Sequence, residues 1–234
     1  MEGVGLSEHE AKLRAAFVHV PEYEATDWAT QSLAVVIARA GSSGWANRSA
    51  DDHRRRAIML LTVRMLRAIR AGMTVHAAGW EVEGRALDRL VAETRARLLE
   101  VEADTTDATG KRWLERKPRT TITAALQASM PEMDPQMMKT LYGALSQDSH
   151  ADVGGVMRSL TTVDDDLAAE ITWGPRHTIA SRQSLVLFAS FASEAATALA
   201  VEAQVTHPDR DALAARIAAA HATLAQAELT SKQP

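Results

Sequence analysis

Tyr142, Ser146 and His150 recur at four-residue intervals in LYGALSQDSH, residues 141–150. The segment opens on Asp134-Pro135, an N-cap acid followed by proline at the first helical position, which predicts a helix. At about 100° per residue, positions four apart share one face, so the Ser146 and His150 side chains can touch. Met137, Met138, Leu141 and Leu145 fall within an arc of about 100° and make a core-facing stripe. Ser149, Tyr142, Ser146 and His150 follow around one flank of that stripe, where a half-buried polar row must find partners or lose solvation. In such a row the imidazole of His150 is the natural acid or base near neutral pH. The same row can also simply tie a helix edge to its neighbour. Ser146 and His150 alone are not a nucleophilic dyad, because the chain has no G-x-S-x-G elbow.

A second set is basic. Arg56, Arg67 and Arg70 lie within about 60° of one another on a predicted long helix, with Arg64 beside them. Ile58, Met65, Leu66, Ile69 and Met73 occupy the opposite face. Such a row can track phosphates or stand in solvent, and Asp51 and Asp52 are its only local acidic offset. The expected metal and cofactor content is none. The chain has no Cys, no E-x-x-H and no glycine-rich phosphate loop. Asp164-Asp165-Asp166 reads as an acidic turn or helix start, and Gly154-Gly155 as a turn.

The elements that must position these residues are helices. The 234-residue chain carries a net charge of -4 and only 4% aromatic residues, which disfavours a globally basic nucleic-acid binder or an aromatic stacking surface. The expected fold is all-α, one helical bundle over residues 1–230 with a frayed tail at 231–234. Ser7 to Glu10 form a capping box that starts a helix ending near Pro21. A second helix is expected at 27–40, stopped by Gly41, with a loop at 41–49. A third is opened by Ser49 and Asp52 and runs to Ala78, roughly 40 Å long. A fourth covers 81–103, with Leu87, Leu90, Val91, Thr94, Leu98 and Val101 as its buried stripe. The short link through Gly79 and Trp80 makes the third and fourth antiparallel partners at the centre of the bundle. A weaker helix is expected at 106–116, and two more at 177–204 and 208–228. Residues 151–176 have no clear period, although 170–173 could pair as a strand. No basic-then-apolar leader opens the sequence, and no stretch holds eighteen uninterrupted apolar residues. The expectation is therefore a cytoplasmic protein without a membrane partner.

Tyr142-x-x-Leu145-Ser146-x-x-x-His150 resembles the Y-x-x-L-S-x-x-x-H signature of a bacterial all-helical family of unknown function. That family also carries a long helix, a short glycine turn, and a helix with an R-x-x-x-E pair. The corresponding stretches here are Ala78-Gly79-Trp80 and Arg89 with Glu93. The resemblance covers roughly 56–200. It implies a helical bundle in which Arg89, Glu93, Tyr142, Ser146 and His150 converge. A weaker resemblance is to HEPN-type helical ribonucleases, whose R-x(4–6)-H motif Arg70 and His76 match in spacing. The usual polar residue after the Arg is Ala71 here. Arg70 and His76 would lie about 120° apart, with His76 on the apolar face. His76 therefore reads as a core histidine.

Three functions are consistent with this pattern. One is a binding protein in a defence or stress setting, with a small molecule or RNA as ligand. Another is a ribonuclease or other nucleic-acid-acting enzyme using His150 with Arg89 or Tyr142. The last is a homodimeric scaffold.

Overall fold

The computed structural model describes residues 6–47, 52–117, 121–129, 134–136, 139–140, 142–143, 160–162, 169–171 and 178–231. These residues are helical almost throughout, as an all-α bundle requires. The helices are α1 (Leu6–Phe17), α2 (Pro21–Ser42), α3 (His53–Ala77), α4 (Glu81–Ala103), α5 (Ala108–Leu114), α6 (Ile122–Ser129), α7 (Ile179–Ala203) and α8 (Arg210–Ser231). Residues 135–136, 139–140 and 142–143 are also helical. A short 3-10 turn spans Trp45–Asn47. Two three-residue strands, Leu160–Thr162 and Ala169–Ile171, pair antiparallel with Leu160 opposite Ile171.

Several boundaries depart from expectation for identifiable reasons. Pro21 does not merely end α1. It starts α2, because a fixed φ and a missing N–H suit the first turn of a helix. α2 therefore begins six residues before Asp27 and runs through Gly41, while Gly44 takes the positive φ of +68°. α1 opens at Leu6, so Ser7 lies inside the helix and not at its cap. Glu10, the expected return partner of that cap, accepts instead from Trp80 Nε1 at 2.9 Å. Trp45, in the segment read as a loop, is a core residue. Asp52 caps α3 by accepting from the Arg55 amide at 3.3 Å, and Gly79 turns the chain into α4 with φ +84°.

The directions of the helices follow from side-chain contacts. The end of α3 meets the start of α4 through His76 and Asp88, and the start of α3 meets the end of α4 through Arg54 and the Glu102 carbonyl. These two helices are therefore antiparallel, as the short link requires. α7 is the more central element. Its first turns touch the start of α2 (Arg182 to Glu22, Leu185 to Thr26), and its last turn touches the start of α3 (Glu202 to Arg54). It thus runs parallel to α2 and antiparallel to α3. α8 returns along both α2 and α7. By length and composition α7 could cross a membrane, but a core helix passes the same test. Here its Leu185, Phe188, Ala192, Ala196 and Leu199 pack into the main hydrophobic core. A smaller cluster joins α4 to α6 through Ala96, Ala125 and Leu126, with Ile122 and Tyr142 against it.

Candidate functional site

α4 has two working faces. Val91, Thr94, Leu98 and Val101 are buried in the bundle, while Leu87 and Leu90 are half-buried. Arg89, Ala92, Glu93 and Ala96 recur at three- and four-residue spacing and face the smaller cluster. Tyr142, itself helical, comes to this face with its ring against the small apolar residues.

Three polar groups close on one another there. Arg89 Nε donates to Glu93 Oε1 at 2.8 Å, and Arg89 Nη2 donates to Tyr142 Oη at 3.0 Å. The phenol in turn donates to Glu93 Oε1 at 2.8 Å. The guanidinium also sits 5.1 Å from the Tyr142 ring centroid, within cation–π range. Burial raises the Tyr142 pKa, and its hydrogen bond to Glu93 raises it further. The bond to Glu93 likewise raises that of Arg89. The phenol is therefore held protonated and the guanidinium held charged. That chemistry suits recognition and packing. It does not suit a phenolate base.

The structure thus brings Arg89, Glu93 and Tyr142 together. Ser146 and His150 lie outside the described residues, as do Met137, Met138, Leu141, Leu145, Asp164 to Asp166 and Gly154-Gly155.

The basic row on α3 is partly neutralised. Arg70 reaches across to Asp27 and Thr30 on α2, an acidic partner that the local sequence of α3 did not reveal. Arg56 is half-buried and also makes contacts within the fold. Arg64 and Arg67 are exposed and have no ion-pair partner among the described residues.

Arg70 and His76 do not assemble as a pair. Arg70 points to α2 from an exposed position, while His76 is 0% exposed. His76 Nε2 lies 2.8 Å from Asp88 Oδ1, and Ser184 Oγ donates to Asp88 Oδ2 at 2.7 Å. In this order the carboxylate sits between imidazole and hydroxyl, so the serine is not activated by the histidine. The trio links α3, α4 and α7. Sequence reasoning placed His76 in the core but had no signal for Asp88 or Ser184, which are drawn from two other helices.

A third polar group ties the far end of the bundle. Arg54 forms a forked pair with Glu202 at 2.7 and 3.1 Å, and Arg95 pairs with Glu194 at 2.7 Å. Burial raises the Glu102 pKa, whereas the Arg54 hydrogen bond lowers that of Glu202. Among the described residues, no three His, Cys, Asp or Glu side chains gather with the geometry to hold a metal ion. Comparison with family models, curated proteins and solved structures finds no match to this chain.

Proposed function

We propose that this bacterial-type helical bundle is a cytoplasmic binding protein of a defence or stress response. Its recognition element is the seam between α4 and the helical stretch carrying Tyr142. The observation that supports this is the closed triad of Arg89, Glu93 and Tyr142. Each member is hydrogen-bonded to the other two at a half-buried position, and both titratable donors are fixed in their protonated forms. Such a cluster holds its polar groups in one orientation at the seam, so a small polar ligand docking there would meet little further ordering cost. In sequence, Ser146 and His150 follow Tyr142 by four and eight residues.

The test is a ligand-induced rise in melting temperature with mono- and dinucleotides as probes. A ligand at a hundred times its Kd stabilises by about 2.7 kcal/mol. The wild type should shift, and Arg89→Met and Tyr142→Phe should lose the shift while remaining folded. No shift in the wild type, or the same shift in all three proteins, overturns the reading. Incubation with total cellular RNA at low salt separates it from catalysis. Intact RNA with wild type and with His150→Ala is the expected result. Cleavage by the wild type alone would make a ribonuclease with His150 as acid or base the better account.

The exposed Leu187 and Val201 on α7 favour a second reading, a homodimeric scaffold. Light scattering at micromolar concentration tests it, and a strict monomer removes it.

A further inference from the structure

α2 contacts α3 on one flank and α8 on the other, and Asp27 and Trp28 stand at these two contacts. Arg70 of α3 reaches Asp27 of α2, so the exposed face of α3 is continuous with the residue before Trp28. Arg64 and Arg67 stand on that α3 face, exposed and without an ion-pair partner among the described residues. On the other flank of α2, Arg216 of α8 lies 4.1 Å over the Trp28 ring. Trp28 is 42% exposed, whereas Trp45 is 1% exposed. A large ring left in solvent beneath a guanidinium is not accounted for by the core, which α2 builds from Ala25, Ala29, Leu33 and Val36.

We propose that this face binds single-stranded nucleic acid, with Trp28 as a stacking platform and Arg64, Arg67 and Arg216 as its phosphate contacts. The chemistry of the face selects this partner. Every base has a π-face, so an exposed indole stacks bases regardless of sequence, and a neighbouring guanidinium adds cation–π attraction and phosphate charge. The cation–π stack on Arg216 fixes the ring before binding, so little side-chain freedom is lost when a base arrives. Arg64, Arg67 and Arg216 outnumber the exposed Glu24, which stands one turn before Trp28 on α2, so these side chains give a polyanion a net attraction although the chain carries -4 overall. Arg70 contributes no net charge here, since Asp27 neutralises it. Duplex nucleic acid keeps its bases stacked inside and cannot use the indole, so the face discriminates against it. This proposal is independent of the seam at Tyr142.

The test is fluorescence anisotropy with a 5′-labelled 20-nucleotide oligo(U) RNA, titrated with full-length protein from 50 to 200 mM salt. The wild type should bind the single strand at least tenfold more tightly than a 20-base-pair duplex. Trp28→Ala should weaken single-strand binding about tenfold, and Trp28→Phe should restore most of it. Arg64→Gln with Arg67→Gln should lower the slope of log K against log[salt] by about 1.4, since each single-strand phosphate contact contributes about 0.7. Arg64 and Arg67 are on the surface, so their variants should keep the wild-type melting temperature, while Trp28→Ala, which loses the packing of a ring only 42% exposed, should keep the helical circular dichroism spectrum and melt somewhat lower. No binding at 50 mM salt overturns the proposal, and so does equal affinity for the duplex or binding unaffected by Trp28→Ala.

Discussion

Tyr142 is a residue whose hydroxyl does more than its ring. The ring rests on Ala96, Ala125 and Leu126, and Phe would keep that packing. The hydroxyl links Arg89 to Glu93 and is the added element of the cluster. At this half-buried position Tyr142→Phe should cost about 1 kcal/mol in urea unfolding at pH 7, near the middle of the range for a hydrogen bond in a folded protein. The pH dependence has a definite sign. The folded pKa lies above the ordinary value of 10.0, so the native state holds the phenolic proton more tightly than the unfolded chain does. The contribution of the hydroxyl is fully present below about pH 10 and is lost as pH rises through the folded pKa. The gap in stability between wild type and Tyr142→Phe should therefore narrow on the alkaline side. A gap that stays constant from pH 8 to 11 would show that the hydroxyl does not hold the cluster. The pairing of Arg89 with Glu93 is legible in the sequence, since four-residue spacing puts opposite charges side by side. The arrival of Tyr142 is suggested only by resemblance, because no periodicity reports which helices meet.

At the scale of the helices, two interior glycines set how closely α3 approaches its neighbours. Intrinsic propensity says that Ala in place of a mid-helix Gly should stabilise by about 1 kcal/mol. The packing reverses the sign at both positions. A Cβ on Gly84 would lie within 3 Å of the His76 ring, and one on Gly72 within 3 Å of the Phe188 ring. Neither ring can retreat easily, since His76 is bonded to Asp88 and Phe188 is buried between helices. Gly84→Ala and Gly72→Ala should each destabilise by up to about 2 kcal/mol, the usual ~1–3 kcal/mol for forcing atoms into a filled core less the propensity gain. Gly41→Ala is the internal control. It also lies in a helix, but nothing stands within 4 Å of its added Cβ, so it should be neutral or slightly stabilising. Thermal melts of the three variants decide the matter, and a stabilised Gly84→Ala would mean that α3 and α4 are less tightly apposed than the structure shows. The helices themselves were legible, because apolar residues recur at their period and Pro, Asp and Gly mark most ends. Pro21 was ambiguous because proline both ends one helix and begins the next. The close contacts were illegible, since a glycine that clears space for a neighbour looks the same in sequence as one that merely weakens a helix.

The whole molecule turns on α7, and that centrality was hidden. A short link makes α3 and α4 visible partners in sequence, but α2 and α7 meet across 159 residues, as between Thr26 and Leu185, and no local signal reports it. What can be read in α7 is its apolar composition, which the structure explains by its burial against α2, α3, α4 and α8. One charge pair locks the seam. Glu22 is 0% exposed, and Arg182 binds it with a fork at 2.7 and 3.2 Å. Removing the cation leaves a buried carboxylate without its partner, and because Arg182 is itself 23% exposed its removal admits some water, so Arg182→Ala should cost about 3 kcal/mol, the low end for a broken buried pair. The pair as a whole need not be strongly stabilising, because two charges lose solvation to form it. Replacing both partners by leucine should therefore cost far less than the single change and come out near neutral. Denaturant titration of wild type, Arg182→Ala and the Glu22→Leu, Arg182→Leu double variant gives the answer. A double variant as unstable as the single one would mean that the seam depends on the charges themselves. Recovery in the double variant would mean that packing holds α2 to α7 and that the ion pair chiefly fixes their register, with Glu22 on α2 set against the first turn of α7.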